Sequence, residues 1–572
     1  MRFFIKTKYL IFILLIFLFS AKEVFAKEDK ILYSKQNISN YLSGIVLLNQ
    51  NKIEDSFKYL DKVNLLEDKH DIFNVQYIRT LVLLGKFDKA IDFSKSVWKK
   101  ENFYFEADLL IGLDYFIKED YVSAEKYFSR LNKISKYNLI FDDFFGNIFI
   151  SWIKAIEGNK NDSFKFLDKV PEHFNNLKLI QESFLECYFD SDKTSDAFEK
   201  LIDRNGSNFS RYDFFLLNYY LSKKKINVAE KLINEKIKFD DPNILIKQSK
   251  IFFNNKKYKK ITNYFNCEDP KDVIAEIFYV ISNLYSSEEL YQLSNFYLNL
   301  SFFLNDKFSP NKKLLAENLF FLKRYSESKK IYNSIKSIGP VYSWYASKSI
   351  ARVSLITHDK EYSVSKLKKE FGKLPSHNFE HYYELANFYK DNEHFEDAIK
   401  YYSLALENID QNHYLVSKIL DRRGTSFERL GKWIKAEKDL KESLKISPDQ
   451  PYVLNYLAYS WIEKRINIEE SFTMLNKAVS LKQNDPYITD SLGWAYFIKG
   501  NYINAEKFLQ KAVKLLPLDP IVNDHYGDVL WMLNRKIQAR YFWNYVLTLD
   551  NAEQKLKNDI AKKLVFGISK KL

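Results

Sequence analysis

Two cysteines and three methionines in 572 residues leave nothing for a disulfide-rich scaffold, and with no paired CxxC there is no thiolate metal site. Glycine is scarce at 14, and none of it forms a phosphate-binding loop or a GxSxG elbow. Only 11 prolines occur, and no strand-rich block separates them. No acid, base or nucleophile cluster of a recognisable enzyme is present. The eight histidines include His377 and His381, four apart, but Pro375 makes that stretch a junction and HExxH is missing. The expectation is no catalytic residue, no metal, no cofactor and no enzyme. A disulfide between Cys187 and Cys267 is not expected, because a regular array would place them more than two repeat units apart.

Aromatic residues are abundant at 17%, and apolar residues at 46% exclude wholesale disorder. Their arrangement is periodic. Gly424, Gly493 and Gly527 are each followed twelve residues later by Ala436, Ala505 and Ala539. Small residues at that offset let two antiparallel helices approach closely. The stretch DSLGWAYFIKGNYINAEKFLQKAVKLLPLDP from Asp490 shows the whole unit, with Gly500 and Asn501 breaking one amphipathic helix and Pro517 ending the next. Ala398, Ala436, Ser471, Ala505 and Ala539 are spaced 38, 35, 34 and 34, and Ser56, Ala90 and Ala124 are 34 apart near the other end. Between about 140 and 375 only echoes remain, such as Ala229 with Pro242, or Ala316, Ser328 and Pro340.

These residues resemble the tetratricopeptide repeat, whose period is 34. The resemblance implies an all-α chain, a right-handed superhelical solenoid of helical hairpins. The expected divisions are a signal peptide at 1–26, degenerate helical repeats at 27–375, a regular array at 376–550 and a C-terminal capping helix at 551–572. The soft boundary falls at Gly372 to Ser376. In the last helix, Leu556, Ile560, Leu564 and Ile568 share one side, and the lysine-rich side is expected to face water.

The first 26 residues carry Arg2, Lys6 and Lys8, then an apolar run from Tyr9 to Ala21 and the small Ala26. The run is shorter than the roughly 20 residues that span a bilayer. It reads as a secretory signal, implying a bacterial periplasm. An uncleaved inner-membrane anchor would place the rest of the chain on the same side. No cysteine follows the run, so lipidation there is excluded. Loss of the segment lowers the net charge from +13 to +10. The lysines are interleaved with acids, as in KAEKDLKESLK, which argues for solvated helix faces rather than nucleic-acid binding, with transient membrane-surface contact as the remaining role for the excess charge.

In such arrays the inner wall comes from the first helix of each pair. The repeat register puts Asp421, Asn455, Asp490 and Asp524 at one inner position, Tyr459 and Trp494 at a second, and Phe497 and Trp531 at a third. An aromatic wall with acidic spots suits an extended peptide. An acid in the first turn equally favours the positive end of the helix dipole with no ligand at all. Consecutive segments LNYLAYSWIEKR, DSLGWAYFIKGNY and NDHYGDVLWMLNR resemble exported bacterial tetratricopeptide proteins, among them a lipoprotein adaptor that binds a carboxyl-terminal processing protease. That resemblance implies a non-enzymatic scaffold or adaptor in the cell envelope, with a protein or peptide partner, the protease and its substrates being one case. A structural part of an envelope assembly, secretion or polysaccharide export complex is the alternative.

Overall fold

The computed structural model describes residues 34–66, 70–99, 104–134, 143–203, 209–236 and 243–568. The expected signal peptide and Pro242 lie outside the described residues. Every regular element within them is helical, in antiparallel pairs that follow one another along the chain. No helix among them is long and apolar enough to cross a membrane.

Proline and aspartate set the helix starts. Pro270, Pro451, Pro486 and Pro520 each occupy the first turn, where a missing N–H costs nothing. The aspartate before three of them supplies the cap: Asp485 accepts from the Tyr487 and Ile488 amides, Asp519 from Ile521 and Val522, and Asp269 from Lys271.

The turn between paired helices is also uniform. One residue adopts a left-handed conformation, and the amide after it returns to a carbonyl five residues back, as from Lys86 to Leu81, Leu290 to Tyr285 and Asn501 to Tyr496. Gly85, Gly158, Gly431 and Gly500 hold some of these positions. Elsewhere Glu119, Glu289, Lys323 and Glu393 hold them, with φ between 60° and 64°.

Within each pair the small residues meet as the twelve-residue spacing predicts. A Cβ on Gly424 would lie 3.2 Å from the Ala436 carbonyl oxygen, and one on Gly527 3.4 Å from that of Ala539. Where serine replaces the second small residue, its hydroxyl donates across the interface to the carbonyl twelve residues earlier. Ser56 donates to Gly44, Ser294 to Ser282 and Ser328 to Ala316, and in one pair the direction reverses, Ser151 donating to the Ser163 carbonyl, all at 2.7 to 2.8 Å.

The chain divides into two compact units, Met1–Val353 and Ser354–Leu572. The division falls before Gly372 to Ser376. Helix Lys360–Phe371 joins the second unit because Phe371 packs against Tyr382 and, edge-on, against Tyr401 of the next pair.

The first unit closes on itself, unlike the open array expected. Gln292 Nε2 donates to the Leu48 carbonyl at 2.8 Å, Phe87 stacks on Phe303 with centroids 4.1 Å apart, and Arg324 pairs with Glu54 at 3.0 Å. Its interior is filled by its own rings: Phe145 lies against Phe278 and Tyr297, and Phe149 against Phe278. Among the described residues these rings form a close-packed apolar core rather than a hollow wall.

The unit also contains the disulfide that the spacing argued against, Cys187 to Cys267, with Cα atoms 6.0 Å apart. The physical reason is local. After the short helix Lys259–Thr262 the chain folds back rather than continuing the period, and Asn218 Nδ2 donates to the carbonyls of Ile261 and Phe265. Phe265 then packs on Phe184, which brings Cys267 to the helix carrying Cys187.

The second unit is regular. From Phe379–Asp391 to Lys536–Thr548 its helices alternate in hairpins, and successive first helices touch one another. Helix Gln554–Phe566 ends it, with Ile560 buried and Leu556, Leu564 and Ile568 packed beside the last hairpin. One lysine departs from the expected solvated side, since Lys563 turns inward.

Candidate functional site

The residues expected on the inner wall of the second unit lie on helices Leu415–Arg429, Pro451–Lys464, Pro486–Ile498 and Pro520–Met532. The register places equivalent residues on one line. Tyr459, on the second of these, is acted on by the carboxylates of both Asp490 and Asp524, which lie one and two hairpins further on. Burial, Glu463 and these acids raise its hydroxyl pKa far above the usual phenol value.

The far end of the line is answered from within the chain. Asp490 meets His525 Nδ1 at 2.9 Å, and Asp524 accepts from Lys563 Nζ at 2.7 Å. Lys563 also bonds Asp528 at 2.7 Å, so one ammonium from the terminal helix neutralises two inward acids. Trp494 and Phe497 were expected at the wall surface, but both are buried, at 9% and 3% exposure. Their rings stack 4.7 Å apart, His525 covers the Trp494 ring at 4.0 Å, and Trp494 Nε1 donates to Glu463 at 2.6 Å. The correction has a simple cause: a histidine one repeat later reaches back over the indole. Trp531 is half-buried against Trp543, and Gly567 presses on its face so closely that a Cβ there would sit 2.0 Å from the ring. With φ at +69°, that position suits only glycine on both counts.

The near end is different. Asp421 and Asn455 are half-buried, Asp421 has no hydrogen-bond or ion-pair partner among the described residues, and Asn455 Oδ1 is enclosed yet accepts nothing. Burial pushes the Asp421 carboxyl up, against the pull of Arg422, Lys390 and Lys418. Around them, Tyr456 donates to Glu428 at 2.7 Å and Arg422 donates to Asn387 at 2.8 Å. The structure therefore separates the expected site residues into a satisfied group, Asp490, Trp494, Phe497, Asp524 and Trp531, and an unsatisfied one, Asp421 and Asn455, bordered by Tyr459.

Sequence reading missed His525 and Lys563 as the residues that occupy the wall. No spacing signal marks them, since Lys563 is one of several lysines in its helix and both bases reach the acids only through tertiary packing. Among the described residues no group of histidine, cysteine and acids could hold a metal ion.

The satisfied end has a pH dependence. Burial lowers the His525 pKa, but Asp490, Asp524 and Asp528 outweigh it and the net shift is upward. Burial and the like charge of Asp524 push Asp528 up to about 7, against Lys563. A base with a raised folded pKa adds stability that is complete below its unfolded value near 6.5 and lost as pH climbs past the folded one. An acid with a raised folded pKa likewise favours folding less as pH climbs from about 4 to about 7. The Asp528→Asn variant should therefore gain on the parent protein between about pH 4 and pH 7, read as the difference in melting temperature. Parallel melting curves for the two proteins across that interval would contradict this.

Comparison with known proteins places tetratricopeptide repeats at residues 380–412 and 491–517. A TPR repeat-containing protein of Pseudomonas aeruginosa is 30% identical over 92 residues, and the match spans 16% of each chain. Among solved structures, a tetratricopeptide repeat protein from Parabacteroides merdae is 19% identical, covering 39% of this chain and 86% of its own, with a TM-score of 0.33. MamA from Desulfovibrio magneticus is 18% identical, covering 31% and 97%, with a TM-score of 0.27.

Proposed function

We propose that this chain, which carries tetratricopeptide repeats and tetratricopeptide-type hairpins, is a non-enzymatic protein-binding scaffold or adaptor of the bacterial cell envelope. Repeats of this type generally mediate contacts between proteins. The inner wall of the Ser354–Leu572 unit holds a segment of the partner. The observation that carries this reading is the contrast along one line of residues: Asp490 and Asp524 have basic partners, whereas among the described residues Asp421 has neither a hydrogen bond nor an ion pair and the enclosed Asn455 Oδ1 accepts nothing. A buried acceptor without a donor costs about 1–3 kcal/mol. A partner that supplies an ammonium or guanidinium to Asp421 and an N–H to Asn455 removes that cost. Lys563 exemplifies the chemistry, a basic side chain brought to two inward acids by a helix.

Envelope placement rests on the signal-like first 26 residues and accords with the Cys187–Cys267 bridge, since disulfides persist in oxidising compartments. Delivery of substrates to a carboxyl-terminal processing protease is the particular role that the C-terminal resemblance suggests; catalysis then belongs to the partner.

Crosslinking and mass spectrometry in intact cells test the reading. Asp421→Lys should lower the yield of the principal crosslinked protein by about tenfold, the penalty of setting like charges together, while Trp531→Ala at the occupied end changes it little. Equal yields from Asp421→Lys and the parent protein, with unchanged helical spectra, would remove the inner wall from consideration. Recovery of a protease with its substrates supports the adaptor role; recovery of a secretion or polysaccharide complex supports the structural one.

A further inference from the structure

The first unit contains a second feature, unrelated to the inner wall of the other. A cavity of about 430 Å³ opens where four helices begin. It is bordered by Arg211, Ile244, Lys313 and Tyr342, each within the first three residues of its helix: Arg211–Ser222, Ile244–Asn254, Lys312–Phe321 and Pro340–Thr357. Helix N-termini present partial positive charge and unpaired N–H groups, so their convergence favours an anion. No acid lines the cavity, whereas Arg211 and Lys313 do; Lys313, about a third exposed, also reaches Glu317 at 3.3 Å on its own helix.

The polar inventory is incomplete without a ligand. Arg211 gives Nε and Nη2 to Glu276 at 2.7 and 2.8 Å and Nη2 to Asn311 at 2.9 Å. Its Nη1 makes no hydrogen bond among the described residues. Tyr212, only 3% exposed, has a hydroxyl with no partner. Such a hydroxyl costs about 1–3 kcal/mol unless something meets it. The remaining walls are apolar or aromatic, from Ile180, Leu245, Val280 and Phe209, with Tyr279 stacked on the Arg211 guanidinium at 3.9 Å. A volume of this size falls in the range of small-molecule sites, which commonly pair apolar walls with a few convergent donors.

We infer that this cavity binds a small amphiphilic anion, a carboxylate or phosphate ester on an apolar chain, with the head held by Arg211, Lys313 and the Tyr212 hydroxyl. The helix starts supply the field and the hydrophobic walls take the tail. This function is separate from partner binding by the second unit, and either can stand without the other.

Isothermal titration of the full-length protein with decanoate, decyl phosphate and decanol tests it. One of the two anions should saturate a single site, with decanol at least about tenfold weaker, because only the anion meets the donors. The preferred anion identifies the head group. Tyr212→Phe, which removes one oxygen and keeps the ring, should weaken that anion by about fivefold while raising the melting temperature of the ligand-free protein, and Lys313→Met should weaken it by a similar factor. Absence of saturable binding, equal affinity for decanol, or indifference to both substitutions overturns the inference. So does tighter binding by a leucine-terminated peptide than by either anion, which would assign the cavity to a polypeptide end.

Discussion

Arg211→Ala should lower the stability of the first unit by about 3–5 kcal/mol, the largest effect expected from any single substitution outside the apolar core. The reason is the partner left behind. Glu276 is enclosed and its carboxylate receives both forks of the Arg211 guanidinium, while Asn311, in the short turn Ser309–Asn311, anchors the same group. Without the arginine, Glu276 must either stay charged in an apolar surround or take up a proton; burial already pushes its pKa up with the arginine present. Replacing both members, Arg211→Met with Glu276→Leu, should recover most of the loss, because the lasting penalty comes from an unpaired buried charge rather than from the absent bond. Urea unfolding of the parent, the single variant and the pair measures this. A single variant as stable as the parent would show that the guanidinium carries no such burden.

Reduction of the Cys187–Cys267 bridge should cost about 2–5 kcal/mol. The bridge closes a loop of eighty residues, so the unfolded chain loses much conformational freedom when it is intact. The effect should be confined to the first unit. A thermal scan with and without a reducing agent should shift one transition, and Cys187→Ala with Cys267→Ala should reproduce the shift and abolish its response to the reductant. Identical scans for oxidised and reduced protein would mean that the thiols are already apart in solution.

The fold was legible where glycine marks it. Gly424, Gly493 and Gly527 carry the twelve-residue offset in letters that a reader recognises, and the Asp–Pro pairs at 485–486 and 519–520 announce the helices that follow. The middle of the chain uses the same geometry in different letters. Ser151 with Ser163 and Ser282 with Ser294 make the same close approach through a side-chain hydroxyl, and Glu289 and Lys323 take the left-handed turn that glycine takes elsewhere. A search for any small residue followed twelve later by serine would have carried the register through. Non-glycine residues in that conformation cost about 1–2 kcal/mol each, so the packing around the turn, rather than local preference, fixes them.

The candidate site was legible as a line and illegible as a set of free groups. Spacing alone places Asp421, Asn455, Asp490 and Asp524 in one register. It cannot say that His525 reaches back over Trp494, or that Lys563 arrives from a helix 39 residues beyond Asp524. Those are tertiary facts, set by where the last helix lies. The bridge between Cys187 and Cys267 was hidden for the same reason, since one departure from the period near Thr262 moves everything after it.

The meeting of early and late hairpins in the first unit, through Gln292 on Leu48 and Phe303 on Phe87, has an evolutionary reading. A closed stack has a fixed number of members, because inserting or deleting one hairpin separates the surfaces that join. The regular stack of the second unit has no such constraint: a whole hairpin can be duplicated or lost between its neighbours without disturbing their mutual fit. Variation in length among descendants of this chain should therefore accumulate after residue 353, and the part before it should be inherited whole.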